Sequence, residues 1–212
     1  MNPPGAERRE GRPVSTVGSY LVEVADAVRS LDEVALDRFA DVLMSAWRDG
    51  ATVYVLGNGG SGALASHMAT DLGKNTAPDL GTGPQQPAGR RLRVVALTDN
   101  CPLITALGND VAYTDVFVEQ LKGLLRPGDV VVGISGSGAS PNVVRALEYA
   151  RLVGATTVGL TGARSSATAM LAWTDCAVVV PSVVMEQIED LHSVVNHALA
   201  VHLRELIASR VG

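Results

Sequence analysis

Cysteine is almost missing from this chain, with only Cys101 and Cys176 among 212 residues. The two form no CxxC and no spaced pair, which argues against a disulfide framework and fits a reducing compartment. Long apolar runs are missing too: none approaches the roughly 20 residues that a membrane helix needs. Lysine and arginine gather into no patch, and the net charge is −5, so nucleic-acid binding has no electrostatic footprint. The opening MNPPGAERREGRPVST has charge, Pro and Gly but no apolar centre, which excludes a secretory signal. Residues 1–18 read as a disordered tail, and the cytoplasm is the expected location. No internal repeat and no further domain boundary is visible.

What remains is an ordinary soluble composition, 47% hydrophobic and 18% charged, long enough for one α/β domain and short for two. Helical spacing appears first: Leu21, Val24, Ala25 and Val28, then Leu36, Phe39, Leu43 and Trp47, predict two helices over 19–48. After Gly50 the pattern switches to short β-branched runs at 52–56, 92–97, 129–134, 156–160 and 176–180. Each is nearly continuous, as strands buried on both faces should be. Helical stretches separate them near 61–74, 102–124, 140–153 and 166–172, and a last helix is expected over about 185–209. This alternation predicts an α/β fold with a five-stranded, mostly parallel sheet covered by helices on both faces. The Gly-, Pro- and Gln-rich stretch 77–91 reads as a long loop, either a lid or a tolerated insertion.

Two strand ends carry serine–glycine turns. GNGGS (57–61) follows one strand and opens a helix, with Ser61 placed as an N-cap. SGSGAS (135–140) does the same two strands later and brings the hydroxyls of Ser135, Ser137 and Ser140 together with the open backbone of Gly136 and Gly138. Hydroxyls and free N–H groups at a helix start all donate to a phosphate. No Lys follows the glycines, so this is not a P-loop, and a dinucleotide is not the expected ligand. Either turn alone could be a plain strand–helix connection. Two of them at parallel-strand ends can face one crevice.

In chain order, GNGGS, ALTDN (96–100), ALGND (106–110), ISGSGASPNVVRAL (134–147), GLTG (159–162), VPS (180–182) and QIEDLHSVVNH (187–197) resemble the sedoheptulose-7-phosphate (phosphoheptose) isomerases of the sugar isomerase (SIS) family. The resemblance covers about residues 19–209. It implies a single SIS domain over 19–212 with a flavodoxin-like sheet, a homotetramer with active sites shared between subunits, and a zinc ion, one per subunit. It implies aldose–ketose isomerisation of sedoheptulose 7-phosphate to D-glycero-D-manno- or altro-heptose 7-phosphate through an enediol.

Carried over by position, Asn58, Gly59, Gly60 and Ser61 form one wall of the site, Thr98 and Asp99 contact sugar hydroxyls, and Ser135, Gly136, Ser137 and Ser140 hold the phosphate. Glu189 joins the substrate contacts. Asp71, Glu189 and His197 are the implied catalytic residues, and His67, Asp71, Glu189 and His197 the implied metal ligands. Three positions depart from the family: Asp71 stands where Glu is usual, Glu189 where Gln is usual, and SGSGAS where STSGNS is usual. Asp71 shortens the arm by about 1.5 Å, while Glu189 offers zinc a better oxygen than an amide does.

His67 and Asp71 are four apart on one helical face; Glu189 and His197 are eight apart, about 80° around an ideal helix. His192 and His202 read as ordinary helix residues. Two alternatives stay open: an isomerase of another ketose phosphate, and a non-catalytic phosphosugar-binding regulator of the type that associates with a replication initiator. Sugar-phosphate-sensing transcription factors are not expected, since no helix-turn-helix precedes the domain.

Overall fold

A computed structural model describes residues 16–77 and 90–211. The two helical signals at the start form separate helices, α1 (Val17–Arg29) and α2 (Glu33–Asp49). Thr16 caps α1 in a box with Ser19, and Asp32 caps α2 by accepting from the N–H groups of Val34 and Ala35. Such caps satisfy the first-turn donors that a helix cannot pair internally. α1 thus begins two residues before the expected boundary at 19. The rest of the expected tail, residues 1–15, and positions 78–89 of the 77–91 loop lie outside the described residues.

The strands are β1 (Thr52–Gly57), β2 (Arg93–Ala96), β3 (Val130–Ile134), β4 (Thr156–Gly162) and β5 (Cys176–Val180). All pair in parallel, in the order β2-β1-β3-β4-β5. The helices between and after them are α3 (Gly60–Asn75), α4 (Cys101–Leu107), α5 (Val116–Leu124), α6 (Pro141–Val153), α7 (Thr168–Leu171) and α8 (Met185–Val211). One face of the sheet, through Val53, Val55, Val130, Val132, Val158 and Leu160, packs with α2, α3 and α8. The other, through Tyr54, Leu56 and Val131, packs with α5 and α6. α1 rides on α8, where the Tyr20 hydroxyl donates to Asp190 at 2.5 Å and Gln187 donates to Glu23 at 2.7 Å. The bond to Asp190 pushes the Tyr20 phenol up to about 12.

Three expectations need correction. Only β1, β3 and, apart from its first residue, β4 are buried throughout; β2 and β5 are the edges of this strand order and expose alternate residues. The stretch expected as one helix over 102–124 is broken by a π turn at Gly108–Ala112 and a 3-10 turn at Tyr113–Asp115. Gly108, with its low helix propensity, sits at the break. The helix expected at 166–172 is likewise a 3-10 turn followed by the short α7.

Asp129 ties the amino-terminal edge of the sheet. Its carboxylate accepts from Thr52 N–H at 2.8 Å and Arg126 N–H at 2.9 Å, and its own carbonyl accepts from Thr156 N–H at 2.9 Å. One buried residue thereby pins the starts of β1, β3 and β4. Asp129→Ala should leave the buried Thr52 N–H and the part-buried Arg126 N–H without an acceptor and cost about 2–3 kcal/mol. Urea unfolding would read that loss as a lower midpoint with an unchanged slope; a wild-type midpoint would refute it.

Candidate active site

The strand order reverses beside β1: the chain moves from β1 to β2 on one side, then returns to β3 on the other. In such sheets ligands bind outside the carboxyl ends of the strands, where the order switches. The two serine–glycine turns lie at the ends of β1 and β3, the two strands that flank this switch.

The β3 turn is organised around Ser135. Its hydroxyl lies 3.3 Å from that of Ser137 and 3.0 Å from that of Ser140, and accepts from Gly138 N–H at 3.1 Å. Gly138 has φ +64°, and a Cβ there would fall 2.8 Å from Thr161 Oγ1, so the turn needs glycine. Ser140 precedes α6 but makes no side-chain cap bond; its hydroxyl turns to Ser135 instead. The β1 turn differs from expectation. Ser61 is not the N-cap. Gly59 is, with φ 55°, and Ser61 is the second helical residue and is buried. No side chain caps this end by a hydrogen bond.

Glu189 occupies that end. Its carboxylate lies where a Cβ on Gly60 would stand, which is the favourable place for an anion at a helix start. Gly60, Ser61, Leu64, His67, Glu189, Asp190, His192 and Ser193 line a cavity of about 310 Å³ between α3 and α8.

Both helices start at the crevice, and two turns further along they meet again. His67 Nε2 lies 3.1 Å from Asp71 Oδ2, His197 Nε2 lies 3.6 Å from the same oxygen, and the two Nε2 atoms are 3.4 Å apart. The imidazoles meet edge to face with centroids 4.9 Å apart. Among the described residues, these three form the group whose donor atoms all lie within 4.8 Å of one another; Glu189 does not join them. Three of the four implied metal ligands are thus brought together, while the Glu189 carboxylate stands at the start of α3 beside Gly60. Four ligands set about 2.0–2.1 Å from a zinc ion in a tetrahedron stand about 3.3–3.4 Å from one another. The three observed separations bracket that spacing, so the donor set fits a small divalent cation with one position left over.

The remaining implied residues lie on the opposite flank of α3. Asn58, Gly59, Ser66, Thr98 and Tyr113 line a second cavity, of about 290 Å³. Asn58 is heavily engaged: its carboxamide exchanges two 2.8 Å bonds with that of Asn142, and its oxygen also accepts from Tyr113 at 3.0 Å. Asp99 accepts from the Ser66 hydroxyl, which also meets that of Thr98 at 3.2 Å. Sequence reasoning missed Asn142, Tyr113, Asn75 and Asn196. Of these, Asn75 and Asn196 donate to Asp71: Asn75 to Oδ1 at 3.2 Å and Asn196 to Oδ2 at 2.9 Å. Only Asn196 had a visible signal, its place beside His197 on the core-facing stripe of α8.

With this geometry in view, the class of protein is clear. The family model described as the SIS domain matches residues 19–162, and the chain belongs to that family. Within it, the chain falls among the phosphoheptose isomerases. It is 36% identical over 171 residues to the phosphoheptose isomerase of Aquifex aeolicus, covering 81% of this chain and 84% of that one. The Rhodospirillum rubrum phosphoheptose isomerase is 36% identical over 198 residues, with 92% and 95% covered. The solved structure of phosphoheptose isomerase GmhA from Neisseria gonorrhoeae superposes with a TM-score of 0.76 at 28% identity, covering 88% of this chain and 96% of that one.

His192 corrects its reading as an ordinary helix residue. It is 1% exposed and lines the cavity between α3 and α8. Burial pushes its imidazole down to about 4, against a smaller opposing effect from a hydrogen bond with the Thr161 backbone. The unfolded chain, with an ordinary histidine near 6.5, takes a proton that the folded form refuses. This stabilisation is complete above about pH 6.5 and is lost as pH falls toward 4, on the order of 3 kcal/mol in all. His192→Gln should therefore flatten the fall of unfolding free energy between pH 7 and pH 4, measured by chemical denaturation. An unchanged pH dependence would show that His192 does not carry it.

Proposed function

We propose that this chain is an aldose–ketose isomerase that interconverts sedoheptulose 7-phosphate and D-glycero-D-manno- or altro-heptose 7-phosphate. The observation that carries the reading is the convergence of His67, Asp71 and His197 on one point beside the crevice, in a chain whose relatives are phosphoheptose isomerases. A binding module would need no acid–base cluster there. In this reading Ser135, Gly136, Ser137 and Ser140 hold the phosphate at the start of α6. Ser61 and Glu189 face the sugar hydroxyls in the cavity between α3 and α8, Gly60 lies at its edge, and Asn58, Gly59, Thr98 and Asp99 serve the substrate from the other flank of α3.

The chemistry is a proton transfer between adjacent carbons and a matching one between their oxygens. Asp71 takes a proton from C1 of the ketose and returns it to C2. His197 moves the hydroxyl proton from O1 to O2, so the enediol closes to the aldose with no net change in atoms or charge. His67, Asp71 and His197 would hold a zinc ion, one per subunit, and a bound zinc supplies polarisation of the carbonyl oxygen. Asp71 is only 13% exposed, whereas His67 and His197 are about half exposed. A site of this kind works better with water kept out. Next to His197, Val194, Ala198 and Val201 form an open apolar surface on α8, and α1 exposes Val17, Leu21 and Val22. These faces support assembly as a homotetramer that closes the sites at subunit contacts; sedimentation equilibrium should give four times 22 kDa, and a stable monomer at micromolar concentration would count against it.

Incubation with sedoheptulose 7-phosphate and a panel of other ketose phosphates, with and without zinc, followed by NMR of the products, tests the activity directly. Turnover of a different ketose phosphate alone would move the substrate assignment; no turnover of any would favour a regulatory binding role. His197→Ala and Asp71→Ala should each lower kcat by about a hundredfold or more. His202→Ala, on the same helix but outside the cluster, should stay near wild type.

A further inference from the structure

We infer that Asn196 is a positioning residue: through its carboxamide N–H it fixes the carboxylate of Asp71 for the cation that Asp71 shares with His67 and His197. This rests on the metal-holding reading above. Asp71 Oδ2 is the atom on which the cluster converges, and it is the oxygen to which Asn196 Nδ2 donates at 2.9 Å. Asn75 holds Oδ1 at 3.2 Å, so both oxygens are tethered and the plane of the carboxylate is set from two sides. The two tethers differ in origin. Asn75 lies one turn along α3 from Asp71 and moves with it. Asn196 comes from α8, next to His197, so one helix delivers both an imidazole and the donor that aims the opposing carboxylate toward it.

The energetics of Asn196 point the same way. Its side chain is fully buried on the stripe of α8 formed by Ile188, Leu191, Val195, Leu199 and Leu203. A carboxylate accepts and cannot donate, so the amide must turn its N–H groups to Asp71 and its oxygen inward. There the oxygen has no partner; among the described residues, Asn196 Oδ1, His192 Nε2 and Thr161 Oγ1 are the buried side-chain atoms without one. Burying an unpaired carbonyl oxygen costs stability, and a leucine of similar size would fill the position without that cost. What asparagine supplies and leucine cannot is the N–H on Asp71. Groups that orient a metal-bound carboxylate in this way commonly change metal affinity or activity by about 10–100-fold when removed.

The test is Asn196→Leu, compared with wild type after removal of metal with a chelator. Calorimetric titration with zinc should show affinity lowered by about tenfold or more, while the thermal midpoint of the metal-free protein holds or rises. With sedoheptulose 7-phosphate, kcat should fall and KM change little, since the phosphate turn is untouched. Wild-type zinc affinity in the variant overturns the inference, as does a midpoint that drops in step with affinity, which would mark Asn196 as a packing residue only. If Asn196→Leu does not fold, Asn196→Ala is read by its zinc affinity alone, with loss of affinity expected and wild-type affinity overturning the inference, since the cavity it leaves lowers the midpoint by itself. A wild-type protein that binds zinc but isomerises no sugar phosphate defeats the proposed function and leaves the zinc titration to decide on Asn196. A wild-type protein that binds no zinc overturns the inference about Asn196 directly.

Discussion

The site depends on α3 and α8 lying side by side and running the same way from the crevice. α3 begins directly after β1, and α8 begins five residues after β5. Both therefore start at the carboxyl edge of the sheet, on the same face, so residues at matching depth meet. At the first turn Glu189 meets Gly60; two turns deeper, Asn196 and His197 meet Asp71 and His67. The depth of each functional group is thus set by the helical rise rather than by loops. Six residues of α3 separate Ser61 from His67, about 9 Å, so the cavity at the start of the helix pair and the cluster lie at two depths along one groove.

That arrangement also decides which parts of the molecule are legible in the amino-acid sequence and which are not. The strands are legible because β-branched runs of five or six residues have few alternatives, and parallel pairing follows from helices between them. Their order is not, so the half-exposed edges β2 and β5 leave no sign. The serine turns are legible as local motifs, and His67 with Asp71 as an i, i+4 pair. The place of the Glu189 carboxylate is not legible, because helical angle alone does not say that it turns to the start of α3 beside Gly60. Asn142, Tyr113 and Asn75 are illegible for another reason: an asparagine or tyrosine is equally at home on a surface, and only its partner reveals it. The π turn at Gly108–Ala112, which delivers Tyr113 to Asn58, also leaves no periodic signature of its own.

The cavity between the two helices is also an electrostatic compromise. Its walls include the Glu189 and Asp190 carboxylates and the buried His192 imidazole, which the apolar surroundings keep uncharged near neutral pH. A protonated His192 would offer the cavity a positive charge at the cost of desolvating it. With the ring's other nitrogen bonded to the Thr161 backbone, Nε2 is left as an acceptor, buried and without a partner. The Glu189 and Asp190 carboxylates in its wall accept and cannot donate, which suits the hydroxylated part of the proposed substrate and not its phosphate.

The phosphate end follows from the same accounting of charge. Two helices, α3 and α6, present their amino termini at the switch between β1 and β3, and each could attract an anion. The two ends are not equivalent. Glu189 already brings a carboxylate to the start of α3, and a phosphate placed beside it would meet like charge at close range. The start of α6 holds no carboxylate within its turn; it holds three serine hydroxyls that bond mainly to one another and can re-aim as donors. In the proposed reading, Glu189 thus does more than contact a sugar. By filling one anion position it leaves the α6 turn as the better seat for the phosphate, and so sets which end of an extended sugar phosphate points toward Asp71 and His197.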